Sequence, residues 1–146
     1  MNTIAVVVAM QSEFDMVMNI LDKPGIVNLN GFHAVEGKKG DVKIVVMKLG
    51  IGKVNAALGV VELIRCYSPK YIINTGVAGG VGANIHQGDI VVALQCCYHD
   101  VWCGAGHRGQ VQDFPLYFNA DDKLISAAKT IDNEKLKFGL ICTGDQ

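Results

Sequence analysis

The sequence predicts an α/β fold, because apolar strand segments alternate with helical patterns along the chain. Thr3–Ala9 is short, almost wholly apolar and rich in valine, which is typical of a central strand covered on both faces. A helical pattern follows it directly. Tyr71–Asn74 is predicted to be another buried strand, which follows a second helical pattern and leads into a glycine-rich loop. This alternation of strand and helix is typical of α/β domains.

The first helix and a hairpin are predicted next. Ser12 is the expected N-cap residue of the helix, whose apolar positions recur at helical spacing until Pro24 and Gly25 end the pattern. Gly31–Gly37 and Asp41–Leu49 are the next two strands. Because they flank a turn rich in glycine and lysine, we expect an antiparallel hairpin.

The rest of the chain continues with further helices and strands. A helical stripe spans Lys53–Cys66 and ends at a Ser-Pro pair, and a strand is predicted over Asp89–Tyr98. Ala120–Thr130 is predicted to be a helix with Asn119 as a possible N-cap. Leu136–Cys142 is predicted to be another core strand.

A long connection, Asp100–Phe118, separates two of these elements. It carries Trp102, three glycines and Pro115, and no regular apolar pattern. Loops of this length inside a domain are usually functional or interfacial, so we expect one of these roles here.

Composition narrows the class of protein. The chain has 146 residues, of which 50% are hydrophobic and 18% charged, which is ordinary for a globular domain. Its net charge of -1 gives no basic excess for nucleic acid. No apolar run has the length of a membrane span, and Met1–Met10 lacks the features of a signal peptide. We therefore expect a cytoplasmic protein whose partner is a small molecule or another protein chain, with no nucleic-acid or membrane partner.

The cysteines give no sign of a metal site or of a disulfide framework. The five are scattered and odd in number, without paired CxxC clusters. We expect reduced and mostly buried thiols.

Glu13 is the first candidate for chemistry. It lies in the turn after the first strand, and ligands of open α/β sheets collect at the carboxyl ends of strands, where an acid can act as general base for a water. Taken alone, it is better explained as a first-turn carboxylate that interacts favourably with the helix dipole.

Three other segments contain candidate residues. The loop Asn74–Gly80 has small residues that let a ligand approach main-chain amides, although a tight structural turn explains it equally. Ile51, between two glycines, could line an apolar pocket, whereas Lys53 has the wrong spacing for a phosphate-binding loop. His99 and Asp100 are adjacent in a strand, so their side chains point to opposite faces and a structural role is favoured.

Six stretches, taken together and in order, match a known family. They are AMQSEFD (Ala9–Asp15), GIGKVNAA (Gly50–Ala57), INTGVAGG (Ile73–Gly80), GDIVV (Gly88–Val92), YHD (Tyr98–Asp100) and FNADDKL (Phe118–Leu124). With them the chain resembles the 5′-methylthioadenosine/S-adenosylhomocysteine nucleosidases of the nucleoside phosphorylase/hydrolase superfamily. The resemblance implies a three-layer α/β/α fold with a mixed central sheet, a homodimer, and no metal or organic cofactor.

The resemblance also implies a reaction and a set of site residues. The reaction is hydrolysis of the N-glycosidic bond of 5′-methylthioadenosine and S-adenosylhomocysteine, which releases adenine. Glu13 matches the family position that activates water. The pocket for the ribose, the alkylthio group and the water is expected to include the following residues: Met10, Ile51, Val77, Ala78 and Gly79.

Three features depart from the family pattern. Val77 replaces the serine of some relatives, and the Asp100–Phe118 loop is shorter than in some of them. The chain stops at Thr143–Gln146, which resembles the opening of a segment that holds adenine. We therefore expect residues 1–146 to be the N-terminal portion of a single nucleosidase domain that is inactive in isolation, with the ribose-binding glutamate and the adenine-protonating aspartate outside it.

Three alternatives stay open. The first is a related nucleosidase that acts on another 6-amino nucleoside, such as aminodeoxyfutalosine. A phosphorylase is disfavoured because no arginine stands beside Ala9–Glu13 or Asn74–Gly80 to bind phosphate. The third alternative is a non-catalytic interaction fragment that pairs through an exposed sheet edge.

Overall fold

The computed structural model describes residues 3–145, and the chain divides into two units, Met1–Ala78 and Gly79–Gln146. The first unit contains β1 (Thr3–Val8), α1 (Gln11–Met18), β2 (Asp22–Leu29), β3 (Phe32–Lys39), β4 (Val42–Lys48), α2 (Lys53–Tyr67) and β5 (Tyr71–Asn74). The second contains β6 (Ile90–Tyr98), β7 (Phe118–Asn119), α3 (Asp122–Lys129) and β8 (Leu136–Thr143). Within residues 3–145, no helix is both long enough and apolar enough to cross a membrane.

The first unit is built on a mixed five-stranded sheet. Its strand order is β2-β3-β4-β1-β5, in which β1 runs parallel to both β4 and β5, and β3 pairs antiparallel with β2 and β4. The predicted hairpin is therefore confirmed as β3 and β4. The apolar strand β1 lies between two parallel partners, as its run of valines predicts.

Helices cover both faces of this sheet. Successive strand side chains alternate between faces, so Ala5 and Val7 pack with Leu63 of α2, whereas Val8 packs with Phe14 of α1 on the opposite face. All five side chains are buried. Burial of an aliphatic or aromatic side chain of this size contributes about 1.5–3 kcal/mol to folding. The first unit thus has the α/β/α layers and the mixed sheet that were predicted.

The start and the end of α1 differ from the prediction. The N-cap is Met10, and Ser12 lies inside the first turn. The Glu13 carboxylate, three residues after the N-cap, accepts from the backbone N–H of Met10 at 2.9 Å, which is the glutamate half of a capping box. The helix ends at Met18, well before Pro24.

Pro24 and Gly25 lie in a strand, which was not predicted. They belong to β2, which is the first strand of the sheet and has an irregular register between Asp22 and Gly25. A proline lacks an N–H, and an edge position with a bulge is where a sheet tolerates that loss. The exposed, non-alternating pattern of β2 explains why it carries no strand signal in the sequence.

β5 is confirmed as a strand, but it is less buried than predicted. Tyr71 and Ile72 are half-buried, and Ile73 and Asn74 are exposed. Within the five-stranded sheet, β5 is the last strand and β1 is its one neighbour. An outer strand of a sheet has fewer side chains packed around it, which accounts for the difference.

The second unit has a three-stranded sheet in the order β7-β6-β8, with β6 parallel to β8. The predicted helix is confirmed as α3, but its N-cap is Asp121, whose Oδ1 accepts from the N–H of Lys123 and Leu124 at 2.9 and 3.1 Å. Asn119 instead lies in β7. The strand before the long connection and the last strand are confirmed as β6 and β8, but β8 is not the core strand that was predicted, since all its residues are half-buried or exposed.

The prediction for the cysteines is half right. All five are free thiols, but Cys97 is the one that is buried, and the other four are exposed. The exposed thiols lie on the surface of α2, on outward positions of β6 and β8, and in the long connection, which the apolar character of cysteine does not predict.

The C-terminal end of α2 is attached to the sheet by a polar cluster. The Tyr67 hydroxyl donates to Glu36 Oε2 at 3.0 Å, and Lys43 Nζ lies 2.9 Å from the same oxygen and 5.1 Å from the centre of the Tyr67 ring. Hydrogen bonds from Lys43 and Tyr67 lower the pKa of Glu36. Burial, and then the bond to Glu36, raise the pKa of Tyr67 to about 12.

We expect Tyr67→Phe to lower the free energy of unfolding by about 1 kcal/mol near neutral pH, since a hydrogen bond to a charged group is lost. A lowered folded-state pKa means that Glu36 contributes stability above its ordinary value of 4.5 and loses that contribution as the pH falls through the folded value. The difference between wild type and variant should therefore narrow on acidification below 4.5 in urea denaturation. Tyr71→Phe, in β5, is the control. A difference that stays constant with pH would contradict the linkage.

Candidate active site

Glu13 lies where the carboxyl ends of two neighbouring strands meet. Its carboxylate is half-buried and accepts three backbone hydrogen bonds: Oε2 from the N–H of Ala9 and Met10, at 3.0 and 2.9 Å, and Oε1 from the N–H of Val77, at 3.1 Å. Ala9 and Met10 follow β1, and Val77 follows β5. One carboxylate thus joins the loops after two parallel strands.

The position of Glu13 depends on the absence of a side chain at Gly76. A Cβ atom at Gly76 would lie 2.8 Å from Glu13 Oε1 and 3.2 Å from its Cδ. These separations are shorter than real Cβ contacts. The glycine after β5 is therefore required so that the Glu13 carboxylate reaches the Val77 amide.

A second polar chain lies at the same edge of the sheet. Lys48, the last residue of β4, donates through Nζ to Gln11 Oε1 at 2.7 Å, and Gln11 Nε2 donates to Asp15 Oδ1 at 2.8 Å. Lys48 and Gln11 were not predicted as site residues. The available signal in the sequence was a lysine directly after the apolar run Ile44–Met47.

The loop that carries Ile51 also follows β4. Gly50 and Gly52 on either side of it have φ values of 95° and 100°, which favour glycine. Asn55 Nδ2 donates to the Ile51 carbonyl at 2.7 Å and so fixes the turn at the start of α2. The side chain of Ile51 is 75% exposed, so it is available at the surface after β4.

The structure brings some of the predicted lining residues together. Met10 and Val77 contact Glu13 through their amides, and the Val77 side chain is 81% exposed. Ala78 is exposed at the end of the first unit. Gly79 is exposed and is the first residue of the second unit.

The Glu13 carboxylate can take part in proton transfer. Each carboxylate oxygen has two lone-pair sites, so an oxygen that accepts one amide hydrogen bond can still accept a proton donor such as water.

Among residues 3–145, no group of three or more His, Cys, Asp or Glu side chains is placed to hold a metal ion. His99 and Asp100 lie in the other unit, where Asp100 Oδ2 accepts from the Asp145 N–H at 2.7 Å, a structural contact.

A double-mutant cycle tests the packing of Gly76 on Glu13. We expect Gly76→Ala to cost about 1–3 kcal/mol of stability, because the added methyl group overpacks the carboxylate. In a Glu13→Ala background the same change should cost little, since the clashing atoms are gone. Chemical denaturation measures all four proteins. Gly25→Ala is the control for added bulk at a first-unit glycine, because its nearest contact would be 3.9 Å away; equal costs in both backgrounds would contradict the contact.

Solved structures that are similar to this chain are nucleosidases. A 5′-methylthioadenosine/S-adenosylhomocysteine nucleosidase from Neisseria meningitidis, in complex with methylthio-immucillin-A, has a TM-score of 0.92 and 35% identity, covering 100% of this chain and 66% of its own. The enzyme from Colwellia psychrerythraea, in complex with adenine, has a TM-score of 0.91 and 33% identity, covering 99% and 63%. The predicted fold class and the resemblance to these nucleosidases are confirmed.

Curated sequences agree with the solved structures. A 5′-methylthioadenosine/S-adenosylhomocysteine nucleosidase from an Exiguobacterium species is 37% identical over 97% of this chain, and one from Hydrogenovibrio crunogenus is 37% identical over 98%. The chain spans 64% of the length of both relatives. The family model described as the phosphorylase superfamily matches residues 3–146. The chain, with its mixed sheet and its glutamate between two strand ends, therefore belongs to the phosphorylase superfamily.

Proposed function

We propose that the protein hydrolyses the N-glycosidic bond of 5′-methylthioadenosine and S-adenosylhomocysteine, releasing adenine, and that Glu13 activates the attacking water. The observation that carries the proposal is the Glu13 carboxylate, held by amides after β1 and β5 at an edge where α/β proteins bind ligands. The names of the relatives, and the nucleoside analogue and adenine in their complexes, support the substrate class.

The chemistry requires a base on one side of the sugar and an acid at the leaving base. Glu13 accepts a proton from water as the water attacks, and its negative charge favours the positive charge that develops on the ribose. The pocket around the sugar and the alkylthio group is proposed to include Met10, Ile51, Val77, Ala78 and Gly79, through apolar and main-chain contacts. These acid–base steps use no metal or organic cofactor.

We further propose that residues 1–146 form the N-terminal portion of a single nucleosidase domain. The match to 64% of the length of the curated relatives supports this. In this proposal, the acid that protonates adenine and the group that binds the ribose hydroxyls come from outside these residues, and the 146-residue chain alone is inactive.

A second candidate is a phosphorylase, and one observation favours it. Lys48 places a cation at the same sheet edge as Glu13, although its Nζ is hydrogen-bonded to Gln11. The two reactions give different sugar products. Formation of a ribose 1-phosphate derivative only when phosphate is added would identify a phosphorylase, whereas adenine release without phosphate supports the hydrolase. The same assay with other 6-amino nucleosides tests the substrate class.

We expect Glu13→Gln in the full-length protein to lower kcat for adenine release by at least about 100-fold, because the amide cannot accept the proton of water as a carboxylate does. KM should change little, since the size of the side chain is kept. A spectrophotometric adenine-release assay measures both.

Asp15→Asn is the matched control for this variant. It makes the same chemical change two residues away on α1, at an exposed carboxylate whose partner is Gln11. The control should retain wild-type kcat. Wild-type activity in Glu13→Gln would remove Glu13 from the mechanism.

We also propose that the active protein is a cytoplasmic homodimer that associates through α2. The inward face of this helix packs on the sheet through Gly59 and Leu63, while the opposite side exposes large apolar side chains. They recur at helical spacing: Val54, Leu58, Val61 and Ile64. Apolar surface of this kind on a helix is typical of an interaction face.

We expect the wild-type protein to sediment as a dimer and Leu58→Glu to sediment as a monomer, because a charge at the centre of an apolar interface lacks a partner. Analytical ultracentrifugation distinguishes the two states. Ile131→Glu is the control, since Ile131 has the same 57% exposure but lies outside α2. A monomeric wild type would refute the dimer, and a dimeric Leu58→Glu would refute this interface.

A further inference from the structure

Two cysteines face each other on the parallel strands β6 and β8. Cys97 and Cys142 are direct partners in the strand register, and their Sγ atoms lie 3.3 Å apart. Neighbouring strands are about 4.8 Å apart. This separation lies within the range of about 4.4–6.8 Å between the Cα atoms of disulfide-bonded cysteines. The backbone is thus already placed for a bond between these two sulfurs.

The two thiols differ in their access to solvent. Cys142 is exposed, whereas Cys97 retains 8% exposure and lies beneath it. Burial, and then the hydrogen bond with Cys142, raise the pKa of Cys97 to about 11. Because Cys142 is the exposed thiol, a reagent from solution meets its sulfur first, and the Cys97 sulfur lies 3.3 Å from it.

We propose that Cys97 and Cys142 are a thiol modification site that reacts with low-molecular-weight disulfides and closes into a reversible intramolecular disulfide. In the first step the Cys142 thiolate attacks the reagent RSSR, forming Cys142–S–S–R and releasing one RSH, which takes the proton that Cys142 loses. In the second, the sulfur of Cys97 gives up its proton and attacks Cys142, releasing the second RSH. Two protein thiols are oxidised, and one reagent disulfide is reduced to two thiols.

A Cys97–Cys142 disulfide would join β6 and β8 near the carboxyl ends of both strands. Immediately after Cys142, the Thr143 carbonyl accepts from the His99 N–H at 3.0 Å, and the Asp145 N–H donates to Asp100. A covalent link between β6 and β8 would hold this end of the pair together until a reducing thiol opens it. The inference rests on the second unit alone and does not depend on the proposed nucleosidase activity.

The test uses residues 1–146 in a variant that keeps Cys97 and Cys142 as its two cysteines, made by Cys66→Ser, Cys96→Ser and Cys103→Ser. All three replaced cysteines are exposed, so the substitutions leave the core unchanged. After treatment with oxidised glutathione, intact mass should fall by two hydrogens with no glutathione attached, and titratable thiols should fall from two to none. Dithiothreitol should restore both.

Removing one cysteine of the pair distinguishes disulfide formation between Cys97 and Cys142 from the attachment of glutathione to a single thiol. With Cys97→Ser added, a glutathione adduct should accumulate on Cys142, and with Cys142→Ser added instead, Cys97 should stay unmodified. Circular dichroism checks that each variant is folded. In the wild-type chain, peptide mapping should find Cys97 linked to Cys142. A lasting adduct on Cys142 beside a free Cys97, or a Cys96–Cys142 link, would overturn the proposal.

Discussion

The hydrogen bonds of the Glu13 carboxylate are the constraint on which the first unit's candidate site depends. The amides of Ala9 and Met10 are donors at the start of a helix, where backbone N–H groups lack partners within the helix. The amide of Val77 belongs to a different strand end. One side chain therefore satisfies the helix start, orders the loop after β5 and places a carboxylate at the sheet edge, so that its structural and chemical roles are inseparable.

The sheet topology explains why the candidate residues meet although they are far apart in the sequence. β4, β1 and β5 are adjacent and parallel, so the loops that follow them emerge at one edge. The loops after β4 and β5 carry Ile51 and Val77, and Glu13 lies in the first turn of α1, which follows β1. Glycine at position 76 then sets how closely two of the loops approach, because any side chain there would occupy the space of the carboxylate.

The strands and helices that could be predicted from the sequence are those whose local residue pattern matches their burial in the fold. The valine-rich β1, the β3–β4 hairpin and α2 were predictable, because apolar runs, turn residues and helical spacing reflect burial directly. β2 was not, since an edge strand that contains Pro24 lacks alternating burial. The contact between Lys48 and Gln11 spans 37 positions, and only the pairing of β4 beside β1 brings it about. The N-cap prediction at Ser12 failed because the helix begins earlier, with Met10 as its N-cap and Glu13 accepting from the Met10 N–H.

The irregular start of β2 affects whether another strand can pair with this outer edge of the five-stranded sheet. Lys23 has a positive φ of 49°, Pro24 has no N–H to offer, and the strand begins with exposed charged residues. A strand from another molecule would need a regular row of donors and acceptors along this edge in order to add to the sheet. The β2 edge interrupts that row at its beginning, so the first unit resists growth into an extended intermolecular sheet on that side, even at the high local concentrations that follow synthesis.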